Sequence, residues 1–124
     1  MPFQLEISLD GSLARVRGFG REEFSSTLEA LRRIGDDPRL APGIPVLMDI
    51  RELDYLATPP EVKEFASPDS IPAFYAGHAV AILARPGTQF GVSRAFSSRA
   101  ESVGSRMKVF VEERDALAWL AGAR

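Results

Sequence analysis

Two short apolar runs set the strongest limit on what this chain can fold into. One is Val46-Leu47-Met48-Asp49-Ile50, and the other is Ala79 to Ala84, in which every residue is apolar. Runs without alternation are typical of strands covered on both faces, as in parallel sheets flanked by helices. Pro59 and Pro60 lie between the two runs and favour the first turn of a helix there. The pattern predicts an α/β fold.

The beginning of the chain carries a different signal. Apolar residues at every second position from Phe3 to Leu9 predict a strand with one buried face. Asp10-Gly11 follows, a dipeptide favoured in tight hairpin turns whose two central residues have positive φ. The segment from Leu13 to Gly18 then predicts the returning strand. The chain is therefore expected to open with a β-hairpin.

Caps, breakers and helical spacing predict the other elements. Gly18-Phe19-Gly20 is expected to end the second strand. Four helices are predicted: Glu22 to Ile34, Glu61 to Ala66, Thr88 to about Val103, and Glu113 to Ala121. The first has Phe24, Leu28, Leu31 and Ile34 on its buried face, and the third has Thr88 as N-cap. A last strand at Lys108 to Val111 precedes the fourth helix. The order ββαβαβαβα predicts a five-stranded mixed sheet, its opening strand antiparallel and the rest mainly parallel, in one domain of residues 1–124.

Composition narrows the classes of function. The net charge is −2 with dispersed basic residues, which argues against a nucleic-acid partner. The absence of cysteine excludes thiol nucleophiles and thiolate metal sites and is compatible with a reducing cytosol. No window approaches the ~20 apolar residues of a membrane helix, and the first residues do not form a signal peptide. We therefore expect a cytoplasmic protein without membrane insertion.

Three segments carry a resemblance to a known family. They are Val46 to Arg51, an apolar strand ending in Asp and Ile-Arg; Phe90-Gly91-Val92-Ser93-Arg94-Ala95-Phe96; and Val109-Phe110-Val111 followed by Ala116 to Leu120. In these segments the chain resembles the STAS-like family, which is related to bacterial anti-sigma-factor antagonists and often compared with CRAL-TRIO lipid-transfer domains. The resemblance implies a non-enzymatic regulatory module of bacterial signalling.

The resemblance also singles out Thr58. The antagonists bind a kinase partner and are switched by phosphorylation of a Ser or Thr at the start of the helix after the third strand. Thr58, nine residues beyond Asp49, has that position. The antagonists have Asp before the hydroxyl residue and Gly two residues after it, whereas this chain has Ala57 and Pro60.

The predicted topology brings polar residues to one edge of the sheet. In parallel α/β sheets, ligands gather beyond the carboxyl ends of the strands, where helix N-termini point. The residues expected there are Asp49, Arg51 and Thr58 from one loop, Arg85, Thr88 and Gln89 from the next, and Phe90 and Arg94 one turn further. Free N–H groups and arginines predict a site for a protein partner or a small anionic ligand. Helix capping by Thr88 and solvent-facing arginines are the structural alternative.

Two further hypotheses concern apolar residues. Phe65, Phe74 and Tyr75 flank the prolines of the segment 65–75 and would cover a pocket for a small apolar or lipid-like ligand, which makes the chain a carrier. Alternatively, these rings only pin that segment to the core. Met107, Val109 and Phe110 lie in the last strand, and an unpaired edge there predicts a homodimer.

Catalytic and metal motifs are weak. Gly18-Phe19-Gly20-Arg21-Glu22-Glu23 lacks the third glycine of a dinucleotide fingerprint. Ser93 is expected inside a helix, unlike a nucleophile elbow, and His78 is expected before a buried strand, as a surface residue or at the start of that strand. The acids around Arg51, namely Asp49, Glu52 and Asp54, favour an ion pair over a divalent cation. We therefore expect no enzymatic activity, cofactor or metal.

Overall fold

A computed structural model describes residues 3–67 and 77–122 of the chain. The described elements are β1 Phe3–Ile7, β2 Ala14–Arg21, α1 Phe24–Gly35, β3 Val46–Asp54, α2 Pro59–Phe65, β4 Ala79–Leu83, α3 Thr88–Ser102, β5 Arg106–Phe110 and α4 Glu113–Gly122. The segment with Phe74 and Tyr75, on which the expected lid depends, lies outside the described residues. No helix within the described residues is long and apolar enough to cross a membrane.

The sheet has the predicted mixed topology. Its spatial order is β1-β2-β3-β4-β5, with β1 antiparallel to β2 and every other pair parallel. Residues of α1, α2 and α3 pack on one face with alternate strand residues such as Val16 and Val80. On the other face, Leu47 and Leu83 pack against Leu120 of α4. The carboxyl ends of β2 to β5 therefore share one edge, as the proposed site requires.

The hairpin forms, but its turn is not the predicted one. Among the described residues only glycines have positive φ, so Gly11 has φ 72° and Asp10 does not. The strands join through a wider loop, closed by the N–H of Ser8 donating to the carbonyl of Leu13 at 2.9 Å. The Asp10 carboxylate accepts hydrogen bonds from Ser12 and Ser8. These hydrogen bonds lower the pKa of Asp10 to about 2. They stabilise the wider loop in place of a tight two-residue turn.

The prediction that Gly18-Phe19-Gly20 ends β2 is wrong. The strand continues to Arg21 and pairs with β3 through a register shift between Arg17 and Phe19. Gly18 instead makes room for the ring of Phe3, because a Cβ at position 18 would lie 2.6 Å from a ring carbon of Phe3. The first helix then begins at Phe24, after Glu23.

Three further local predictions also need correction. β3 extends to Asp54, so Arg51 lies within a strand and not in a loop, because β3 pairs with β2 again from Glu52 to Asp54, beyond a register shift. Thr88 is the first residue of α3 and Gly87, with φ 92°, is the N-cap. His78 does lie directly before β4, but it is buried, with Nδ1 2.8 Å from the carbonyl oxygen of Ile44.

Candidate functional site

A single buried side chain connects the carboxyl end of β3 to the first turn of α3. Gln89 is only 4% exposed. Its Oε1 accepts from the backbone N–H of Arg85 at 2.6 Å, and its Nε2 donates to the carbonyl of Ile50 at 2.7 Å and to that of Leu53 at 3.4 Å. The connection after β4 is therefore held against the last residues of β3. Sequence reasoning placed Gln89 at this edge but gave it no role.

Arg85 strengthens the same connection. Its guanidinium donates to the carbonyl of Arg51 and, at 3.5 Å, to that of Leu53. The side chain thus lies across the end of β3, where the strand's carbonyl groups need donors. Part of its hydrogen-bonding capacity is used inside the protein.

Asp49 and Arg51 form an ion pair with each other. Arg51 Nε lies 3.0 Å from Asp49 Oδ1, and Arg51 Nη2 lies 2.8 Å from Asp49 Oδ2. Because side chains alternate along a strand, both residues lie on the face of Leu47, which α4 covers. Glu113 at the start of α4 completes the network by binding Arg15 of β2 at 2.8 Å. The pair expected from the sequence is present.

The pKa of Asp49 reflects two opposing effects. Burial of the carboxyl, whose side chain is 11% exposed, would raise its pKa. Hydrogen bonds from the side chain and backbone of Arg51, with the charges of Arg51 and Arg15, outweigh burial and bring the pKa of Asp49 below its ordinary value. Asp49 is therefore an ionised structural group at neutral pH, and Arg51 is its counter-ion.

Thr58 is the N-cap of α2, as its predicted position requires. Its Oγ1 accepts from the backbone N–H of Glu61 at 3.4 Å, and Glu61 Oε1 accepts from the backbone N–H of Thr58 at 3.0 Å. The hydroxyl of Tyr55 donates to the same Glu61 oxygen at 3.0 Å. Burial and this carboxylate together raise the pKa of Tyr55. Thr58 itself is exposed.

Thr88 and Arg94 are exposed on the outer side of α3. The Arg94 guanidinium lies 6.0 Å from the ring centroid of Phe90, one turn earlier. Within the described residues no carboxylate lies at ion-pair distance from Arg94 or Arg85. The structure therefore divides the predicted site: Asp49 and Arg51 pair on the α4 face, while Thr58, Thr88 and Arg94 belong to α2 and α3.

A cavity of about 100 Å³ lies beside this edge, between the sheet and helices α1, α2 and α3. Its lining is almost entirely apolar and includes Ile50, Leu53 and Phe65. Thr27 and Ser93 contribute buried hydroxyl groups from two facing helices. The sequence suggested an apolar pocket beside Phe65 but did not single out its hydroxyl groups, although Thr27, a polar residue within the apolar stripe of α1, was a signal.

Comparison with known proteins identifies the architecture. No protein-family model matches the sequence, and no curated protein matches it. An uncharacterized protein of the DUF3478 family with a SpoIIAA-like fold, from Shewanella loihica PV-4, superimposes with a TM-score of 0.55 at 24% identity, covering 95% of this chain and 91% of that one. The anti-sigma factor antagonist SpoIIAA in its unphosphorylated form gives a TM-score of 0.55 at 18% identity over 97% and 96% of the two chains. This chain has a SpoIIAA-like fold. The expected STAS-like architecture is confirmed, and at these identities the likeness concerns the fold alone.

Within the SpoIIAA-like fold, the residues considered for catalysis lie far apart. Ser93 is inside α3 and buried, and α3 starts beyond the carboxyl end of β4. His78 precedes the opposite end of β4, about 16 Å away along the strand. The part of the chain that the structure describes contains no group of three His, Cys, Asp or Glu residues arranged to hold a metal ion.

Proposed function

We propose that this SpoIIAA-like domain is a non-enzymatic regulatory module that binds a protein partner. The partner would dock on the carboxyl-end surface, formed by Leu56 and Thr58 after β3 and by Arg85, Thr88 and Arg94 after β4. The observation that carries the proposal is the Gln89 bridge, because it ties the connection after β4 to the carboxyl end of β3, from which Leu56 and Thr58 follow. A surface held rigid before binding loses little conformational freedom when a partner docks.

The character of this surface favours a protein over a small anion. Arg51 is engaged by Asp49, and Arg85 already donates to carbonyls of β3. Arg94 is left without a carboxylate among the described residues, and Leu56, from the connection after β3, is a large apolar side chain that is 46% exposed. Protein interfaces combine an apolar centre with arginine and polar groups at the rim. We therefore assign the arginines to the rim of a protein interface.

Thr58 belongs to this surface as a contact residue rather than as a phosphate switch. A phosphate at a helix start is stabilised by the free N–H groups of the first turn. Pro59 and Pro60 occupy the first two positions of α2 and have no N–H to donate. The Thr58 oxygen also accepts from Glu61, so phosphorylation would disturb the cap. Docking through the unmodified hydroxyl is consistent with both features.

The proposal is tested by site-specific photocrosslinking in the native cells. A benzophenone amino acid replaces Leu56 on the carboxyl-end surface or, as the control, Leu9, which is fully exposed in the β1–β2 loop at the opposite end of the sheet. We expect a discrete protein adduct from position 56 only, and its loss when Arg94→Glu is added. Equal adducts from both positions, or none from position 56, would refute the docking surface.

The carrier hypothesis receives less support from the described residues. A cavity of about 100 Å³ is smaller than the roughly 300–1,000 Å³ of sites for drug-sized ligands. Phe65 packs edge-on against Phe24, Tyr55 and Phe96 with centroid distances of 5.0, 6.3 and 6.3 Å. These contacts favour a pinning role for Phe65 over that of a lid above a lipid.

A further inference from the structure

The cavity contains a polar group without a partner. The Oγ1 of Thr27 is buried and has no hydrogen-bond partner within residues 3–67 and 77–122, and the residue is 3% exposed. A helical threonine can bond its hydroxyl to the carbonyl three or four residues earlier. Here the carbonyl of Glu23 accepts from the backbone N–H of Thr27 at 3.0 Å and from the hydroxyl of Ser26 at 3.2 Å, but not from the Thr27 hydroxyl. Leaving a hydroxyl buried and unpaired is costly, so an occupant that bonds it would be stabilised.

The walls restrict the chemistry of that occupant. Among the residues that the structure describes, no charged side chain lines the cavity. A charged ligand would lose its hydration there without gaining a counter-ion, so the occupant must be neutral. The amide of Gln89 also borders the cavity, but it is committed to backbone groups of β3 and Arg85. Thr27, with Ser93 across from it, is left to bond the ligand.

The volume restricts its size. An engineered cavity of about 150 Å³ with apolar walls binds benzene or xenon. At about 100 Å³ this cavity accommodates a slightly smaller molecule. The exposed side chain of Leu56 is part of the lining, so the cavity reaches the surface at the connection between β3 and α2.

We infer that this cavity is a binding site for a small neutral molecule that combines a short apolar body with one hydroxyl or carbonyl group, bonded to Thr27. The inference goes beyond the proposed protein docking and does not depend on it, since it rests on the interior of the domain.

The test uses n-butanol, which has one heavy atom fewer than benzene, and xenon as an apolar probe of the same space. Binding is followed by methyl NMR, comparing Ile50 and Leu53 in the cavity wall with Leu47 and Leu83 in the separate core under α4. We expect both probes to shift the cavity methyls and to leave the control methyls unchanged. Ser93→Leu, which fills the cavity from α3, should abolish both effects.

Substitutions at Thr27 distinguish the contribution of its hydroxyl group to binding from that of the shape of the cavity. Thr27→Val keeps the side-chain shape, so it should weaken n-butanol binding about 3- to 10-fold, as expected for one lost hydrogen bond, and leave xenon binding unchanged. Thr27→Ser should restore n-butanol binding. Equal n-butanol affinity in wild type and Thr27→Val would overturn the inference. So would the absence of xenon shifts, or a long-lived water at Thr27 with no n-butanol binding.

Discussion

Replacing Gln89 with Met tests whether one buried amide holds the carboxyl-end surface together. Met has nearly the same length and flexibility but cannot make the amide's hydrogen bonds. The substitution removes the bond from the Arg85 N–H at 2.6 Å and the bond to the Ile50 carbonyl at 2.7 Å. It also removes the longer contact to Leu53, at 3.4 Å.

The size of the effect follows from these bonds. Each of the two short hydrogen bonds contributes about 1 kcal/mol net, and a backbone group left buried without a partner adds a penalty of about 1–3 kcal/mol. Water that reaches the exposed edge near Arg85 offsets part of this penalty. We expect Gln89→Met to lower the free energy of unfolding by about 2–4 kcal/mol, which is a large part of a small domain's stability.

Urea denaturation measures this change, with Gln4→Met as the matched control. Gln4 is exposed on β1, so its substitution should change stability by less than about 0.5 kcal/mol. The midpoint for Gln89→Met should fall by roughly 1–2 M urea relative to wild type. Similar midpoints for the two variants would show that the Gln89 bridge contributes nothing, and would remove the main support for a rigid docking surface.

The Gln89→Glu substitution should make the stability of the domain depend on pH. It places a carboxylate oxygen where Nε2 now faces the carbonyls of Ile50 and Leu53. Only a protonated carboxyl can donate there, so the folded state raises the pKa of Glu at this position above its unfolded value of about 4.3. Relative to wild type, the variant should be most stable below that unfolded value and lose stability as pH rises through the folded pKa.

Three further predictions concern packing, electrostatics and assembly. Gly18→Ala should destabilise the domain by about 1–3 kcal/mol because the new Cβ meets the buried ring of Phe3, whereas Gly91→Ala, in open space on α3, should stabilise it by about 0.5–1 kcal/mol; thermal unfolding compares the two. Arg51→Gln should raise the pKa of Asp49 in an NMR titration and destabilise by about 1–2 kcal/mol. The lowered pKa of Asp49 stabilises the wild type above the unfolded pKa, near pH 4, and this stabilisation is lost as pH falls through the folded pKa. Below the folded pKa of Asp49, the free energy of unfolding of the variant should therefore approach that of wild type. Finally, β5 is an edge strand, and light scattering should give the mass of a homodimer; a monomer mass across a wide concentration range would contradict this.

The amino-acid sequence determined the features that depend on periodicity and on chain breakers. The apolar runs at Val46 and Ala79 became adjacent parallel strands, and Leu28, Leu31 and Ile34 became the buried face of α1. Thr58 took its place at the start of α2 because Pro59 and Pro60 favour that turn. These signals are local, since each residue and its near neighbours specify them.

The tertiary structure decided which side chains meet. Whether Gly18 breaks a strand or makes room for a ring depends on Phe3, which only the hairpin register places opposite it. The role of Gln89 depends on carbonyls 36 and 39 residues away, across the pairing of β3 with β4. A buried, unpaired hydroxyl at Thr27 likewise exists only once three helices cover the sheet. Hydrophobic patterning specifies which face of an element is buried, but hydrogen-bond partners are set by the neighbours that the folded sheet supplies.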